Sequence, residues 1–168
     1  MQNFDNRQKL EPLPIICSHH NFFQNAPDLI PREIFPCCSV EGSEIKLISG
    51  PTHAGKTTFM SQVASNMVGV KIYIDFEDSQ MPEPGSGDLQ AIEDTAAEIR
   101  KNETEDGEGR IFYFFDEIQN LQGWENWVDR LHRQGAEIYL TSSRSKLINE
   151  FSSRFSGKCK ILRLFPFS

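Results

Sequence analysis

One octet constrains this chain more than any other part of it: Gly50-Pro-Thr-His-Ala-Gly-Lys-Thr57, which matches G-x-x-x-x-G-K-[ST] at every fixed position. A weakly alternating run, Glu44 to Ser49, precedes it and reads as a strand. Lys56 to Met67 follows it, with Phe59, Val63 and Met67 at helical spacing and Gly69 as the stop. Gly50 and Gly55 permit a tight turn through Pro51, Thr52, His53 and Ala54 that aims successive backbone N–H groups at one concavity. Those donors and the positive helix end suit a diphosphate. Lys56 is placed to bridge terminal phosphates, Thr57 to offer a hydroxyl to Mg²⁺, and Thr58 to bond the inner phosphate. A chance match would leave Lys56 an ordinary surface residue, but the strand–helix junction is where the motif has a physical use. His53 reads as a tolerated loop residue, not a base.

The rest of the chain alternates in the same way. Val70–Asp75 reads as a second strand, and Ser79–Gly87, with two prolines and two glycines, as a loop. A helix from Gly87 or Asp88 to about Lys101 aligns Leu89, Ile92, Ala96 and Ile99, and Asn102–Gly109 is an acidic loop. Ile111-Phe-Tyr-Phe-Phe115 is apolar on both faces, as a parallel strand covered on both sides must be. Trp124 to Arg133 is a helix with Trp124, Trp127 or Val128, and Leu131 on its buried stripe. Glu137–Thr141, a short helix over Lys146–Ser153 and Cys159–Leu164 complete the series. Strands alternating with helices predict a three-layer α/β fold with a mostly parallel five-stranded sheet. Residues 1–44 carry five prolines and read as an N-terminal leader packing on the core, with a helical piece at Asp28–Phe35.

A second constellation lies in register with the first. Asp116-Glu117 follows IFYFF directly, at the C-terminal tip of a buried strand, where ligands bind in open α/β sheets. Asp116 there can hold Mg²⁺ and Glu117 can polarise the attacking water. The plain alternative is a solvated loop start, yet two such elements about 60 residues apart make coincidence a poor account. Thr141-Ser142-Ser143 ends the fourth strand, and of these Ser143 is the candidate γ-phosphate sensor; the alternative is a helix cap. Arg144, Arg154 and Lys158 are candidate phosphate stabilisers that a solvated basic face explains equally well.

Composition narrows the class. The 168 residues carry a formal charge of −7 and 11% aromatics, with thirteen Phe, too apolar for disorder and with no bulk charge to attract nucleic acid. Charge is unevenly spread: residues 75–108 hold twelve acids against two bases, and residues 118–168 four acids against eight bases. No run approaches the roughly 20 apolar residues of a membrane span. Cys17, Cys37, Cys38 and Cys159 form no evident disulfide framework, so a reducing, cytoplasmic setting fits. Cys17, His19, His20, Cys37 and Cys38 lack the paired C-x₂-C spacing of a zinc site.

Assembled, these residues resemble the AAA-like P-loop ATPase domain at the N-terminus of a widespread prokaryotic family that usually also carries a nuclease-like domain. The resemblance rests on SGPTHAGKTTF at 49–59, KIYIDFED at 71–78, FFDEIQNLQGWENWVDRLHRQG at 114–135, IYLTSSRSKL at 138–147 and LRLFPFS at 162–168. It implies a RecA/AAA-like P-loop NTPase fold over 45–168, ending before the helical lid. It also implies ATP and Mg²⁺ as ligands, Lys56 and Thr57 as phosphate and metal residues, Asp116 as the metal-side acid, Glu117 as water activator and Ser143 as sensor. Trp124 would pack its helix against the sheet. Three positions depart from the family pattern: Thr52 and His53 stand where basic residues are usual, Ser142 replaces a glycine, and Lys158 replaces an arginine, losing the bidentate fork.

The expected activity is Mg²⁺-dependent ATP binding and hydrolysis across the C-terminal ends of the first, third and fourth strands. Two rivals use the same loop: a non-catalytic nucleotide-dependent interaction module, and a small-molecule kinase, which the adjacent acids and the lack of an Arg-rich lid disfavour. A homo-oligomer or a protein partner is compatible with the resemblance. DNA-stimulated turnover rests on the basic C-terminal third and on family analogy.

Overall fold

The structure is a computed structural model that describes residues 44–78, 86–103 and 109–166. The leader and its helical piece, Cys17, His19, His20, Cys37 and Cys38 lie outside the described residues, as do most of the loops expected at 79–87 and 102–109. Five strands are present, β1 (Ile45–Ser49), β2 (Val70–Asp75), β3 (Ile111–Asp116), β4 (Glu137–Ser142) and β5 (Cys159–Arg163). They form one sheet in the order β2-β3-β4-β1-β5. Every pairing is parallel. Four α-helices connect them: α1 (Lys56–Ser65), α2 (Ser86–Glu103), α3 (Trp124–Arg133) and α4 (Lys146–Arg154). A 3₁₀ turn, Ile118–Asn120, sits between β3 and α3. The three-layer α/β architecture is therefore as the alternation predicts. Helix ends move by one or two residues, because a terminal turn has no periodic signal of its own.

Side-chain parity along each strand sorts the core into two layers. Ile48, Tyr73, Phe112, Phe114, Tyr139 and Leu162 face α1, which contributes Phe59, Met60, Val63 and Ala64. Leu47, Ile72, Ile74, Tyr113, Phe115, Ile138 and Leu140 face the other way, onto Ile92 and Ala96 of α2, Trp127, Val128 and Leu131 of α3, and Leu147 and Phe151 of α4. Among the described residues, one helix thus covers the first face and three the second. The run IFYFF is apolar throughout because β3 lies inside the sheet with a helix layer on each side.

The aromatic packing gives the two tryptophans of α3 different neighbours. Trp127 lies against the sheet: its ring stacks on Phe115 at 4.6 Å, with Phe76 edge-on to both. Trp124 stacks on Phe151 and leans on Phe155, joining α3 to α4. Glu93 of α2 accepts hydrogen bonds from Trp127 Nε1 (2.9 Å), Arg130 and Gln134, which ties α2 to α3. Since β4 is inserted between β1 and β3, the phosphate-loop strand and the acid-bearing strand are one strand apart. The tip of β4 fills the gap between them.

Candidate functional site

The octet forms the link from β1 to α1. Gly50 leaves the sheet where a Cβ would lie 2.5 Å from the Leu164 carbonyl oxygen, so no larger residue fits without moving backbone. Gly55 precedes α1 at φ 77° and His53 adopts φ 64°. The second value is uncommon for a residue with a side chain and is held by the turn around it. Pro51 O accepts from Ala54 N at 3.1 Å and from Lys56 Nζ at 3.2 Å, which curls the loop inward. Pro51, Thr52, His53 and Thr58 are exposed, Gly50 and Gly55 half-buried, and Ala54 and Lys56 buried.

Period two then places the acids. Phe112, Phe114 and Asp116 share the β3 face that looks toward α1, so Asp116 meets the first turn of that helix. Thr57 Oγ1 donates to Asp116 Oδ2 at 2.5 Å. Tyr73, opposite Phe114 in the β2–β3 register, sends its hydroxyl to the diagonal neighbour Asp116, 3.0 Å from the same oxygen. Thr141 Oγ1 donates to the other oxygen of Asp116 and accepts from Glu117 N at 2.9 Å. Three hydroxyls from three elements therefore hold one carboxylate. Burial, reinforced by the Asp116 and Asp75 charges, pushes the Tyr73 phenol far above its ordinary value, so it stays a donor at any working pH.

Glu117 leaves the strand in the left-handed region, at φ 49°. That kink and the 3₁₀ turn after it swing its carboxylate over the tip of β4. Its Oε1 lies 3.0 Å from Lys56 Nζ. Its Oε2 accepts from Ser143 N (2.9 Å), Ser143 Oγ (2.8 Å) and Gln119 Nε2 (2.5 Å). Burial by itself would raise this carboxyl, but the bonds from Gln119, Lys56 and Ser143 together outweigh it and hold it below the ordinary carboxylate range. Asp75, level with Asp116 in the register, is pushed up by burial and by the Asp116 charge, against a bond from Glu77 N.

Lys56, Thr57, Asp116, Glu117 and Ser143 are thus brought together at the tips of β1, β3 and β4. Arg154 and Lys158 are not: Arg154 bonds Asn126 Oδ1 at 2.7 Å and Lys158 lies 3.9 Å from Asp129. Arg144 is exposed, its backbone N–H bonded to Ser142 Oγ. Sequence reading gives no role to Tyr73, names Thr141 only within the strand-end trio, and marks Gln119 only as typical of the family the chain resembles. The trio Thr141-Ser142-Ser143 held the signal for the second, and the other two depend on register and on the kink at Glu117.

Fit to Mg²⁺ can be judged from the donors. Thr57 Oγ1 and Asp116 supply hard oxygens, and no cluster of three or more His, Cys, Asp or Glu suited to a metal occurs among the described residues. Such a pair suits a cation that completes its shell with water and phosphate oxygens, as Mg²⁺ prefers.

Comparison with known proteins bears on the family. A protein of Methanocaldococcus jannaschii, the uncharacterized protein MJ1544, is 30% identical over 126 residues, 74% of this chain and 27% of its own length. An uncharacterized protein of Haemophilus influenzae is 25% identical over 137 residues, again 74% of this chain and 32% of its own. The chain therefore spans about a quarter to a third of the curated relatives it matches. Among solved structures, C. elegans PCH-2 superimposes with a TM-score of 0.54 at 16% identity, over 92% of this chain and 42% of that one. The closed state of Hsp104 with ATPγS and FITC casein gives 0.50 at 12% identity, over 92% and 28%. These two share the fold. A family model for the AAA domain matches residues 42–168, and the chain belongs to that family of P-loop ATPase domains.

Proposed function

We propose that the domain binds ATP with Mg²⁺ across the tips of β1, β4 and β3 and hydrolyses it to ADP and phosphate. The observation that carries this reading is the Lys56–Glu117 contact: the octet's lysine and the candidate base meet at 3.0 Å, beside the Thr57–Asp116 pair. A phosphate chain in the loop would draw Lys56 onto its oxygens and leave Glu117 Oε1 facing the terminal phosphate. Thr57 and Asp116 would hold the cation, which supplies charge neutralisation on the phosphates. Glu117, ionised well into the acid range, accepts the proton as water oxygen bonds to phosphorus and the bond to the bridging oxygen breaks. Ser143, bonded to Glu117, is the residue through which the state of the terminal phosphate is sensed. A hollow of about 410 Å³ beside Gly50 and Pro51, bordered by Lys146, Ile148, Arg163 and Phe165, has room for a base and its sugar.

Turnover of the unaltered chain, Lys56→Ala and Glu117→Gln, with and without Mg²⁺, tests the reading. Lys56→Ala should lose nucleotide binding. Glu117→Gln should keep it while turnover falls about a hundredfold or more, the range for a lost general base. ADP should form without phosphorylation of added acceptors, which separates hydrolysis from kinase transfer. Equal turnover in all three proteins would defeat the assignment, and binding without turnover in the unaltered chain would favour an interaction module.

A further inference from the structure

We infer that Gln119 is a positioning residue: it anchors Oε2 of Glu117 so that Oε1 alone is left for chemistry. This rests on the proposed hydrolysis. The two oxygens of the Glu117 carboxylate have different surroundings. Oε2 accepts from Gln119 Nε2, Ser143 N and Ser143 Oγ, all at 2.5–2.9 Å. Oε1 has Lys56 Nζ at 3.0 Å, a partner that phosphate would compete for. Departure of Lys56 would free Oε1 and leave the anchored oxygen as it was.

The anchor follows from the backbone. Glu117 at φ 49° and the 3₁₀ turn Ile118–Asn120 fold the chain back, so that a side chain two residues on returns to the carboxylate. The same Gln119 Nε2 lies 3.4 Å from Ser143 Oγ, bridging the tips of β3 and β4.

Packing alone does not account for a glutamine here. Its Oε1 is buried with no hydrogen-bond partner among the described residues, and an unsatisfied buried acceptor is destabilising. Reversing the amide would satisfy nothing, since Oε1 would then face the Glu117 carboxylate. An apolar side chain of the same length would fill the same space without that orphaned acceptor. The donor is what the glutamine adds.

Gln119→Met tests this, since it keeps the length and removes both donor and orphaned acceptor. Its thermal midpoint should move by no more than a few degrees, the lost bond to Glu117 being partly offset by removal of the orphaned acceptor, and its affinity for a fluorescent ATP analogue should change less than twofold. kcat should fall at least tenfold with KM nearly constant. A readout independent of turnover comes from the side-chain amide NMR signals of Gln119 in the nucleotide-free chain. They should be displaced from those of a free glutamine and collapse toward them in Glu117→Ala. Amide signals at the free position, or indifferent to Glu117→Ala, would overturn the inference, as would an unchanged kcat in Gln119→Met. If the unaltered chain shows no turnover, the hydrolysis reading fails, and the amide signals still decide whether Gln119 anchors the carboxylate.

Discussion

Three hydroxyls converge on Asp116, and the one from Tyr73 comes from β2, which supplies no residue of the phosphate loop or of the acid pair. The bond joins a buried phenol to a buried carboxylate, so Tyr73→Phe should destabilise the domain by about 1–3 kcal/mol in urea unfolding, Thr57 and Thr141 still serving the acid. Glu117 gives a pH signature. Its folded value lies below that of an unfolded glutamate, about 4.3, so its interactions contribute fully above that pH and are lost as pH falls through the folded value. The stability deficit of Glu117→Gln relative to the unaltered chain should therefore shrink steadily as pH drops below about 4. A deficit independent of pH would mean that the bonds to Glu117 do not favour its ionised form. The identities of Lys56, Thr57, Asp116 and Glu117 are legible in the sequence, because each sits at a fixed offset in a short motif. Tyr73 and Gln119 are not legible: the first needs the β2–β3 register, the second a left-handed residue where a side chain is present.

At the scale of elements, the helices and strands follow from periodicity, and their order in space does not. Nothing in the spacing of apolar residues says that β4 goes between β1 and β3; that follows from which pairings the helices allow. The stripe on α3 is likewise visible, while the division of labour between its tryptophans is not. Because Trp127 stacks on Phe115 and bonds Glu93, Trp127→Ala should cost about 3–5 kcal/mol in urea unfolding, near the top of the range for a large core deletion. Gly50→Ala tests the junction of β1 with the phosphate loop. The added methyl would meet a backbone carbonyl, not a flexible side chain, so a cost of about 1–3 kcal/mol is expected in thermal unfolding.

For the whole molecule, ligand binding and stability are one equilibrium. At a Mg²⁺–ATP concentration of about 100 Kd, the folded state should gain about 2.7 kcal/mol, a rise in thermal midpoint of roughly 5–10 °C for a chain of this size. Excess EDTA should remove that increment while leaving the ligand-free midpoint unchanged. The charge asymmetry of the sequence is partly met by ion pairs at the surface: Arg130 pairs with Glu93 of α2, Arg133 with Asp129, and Lys158 lies near Asp129, while Arg144, Lys146 and Arg163 stay exposed. No helix of the described residues is long and apolar enough to cross a membrane.

The seam where β5 meets the phosphate loop has a mechanical meaning. Leu164 N donates to Ser49 O at 2.7 Å, and the Leu164 carbonyl presses on Gly50. The residue after the edge strand β5 is thus fastened to the residue before the loop. A load applied to the chain just past β5 acts on Gly50 directly, with no compliant segment between them, and straining the loop pulls back on that same point.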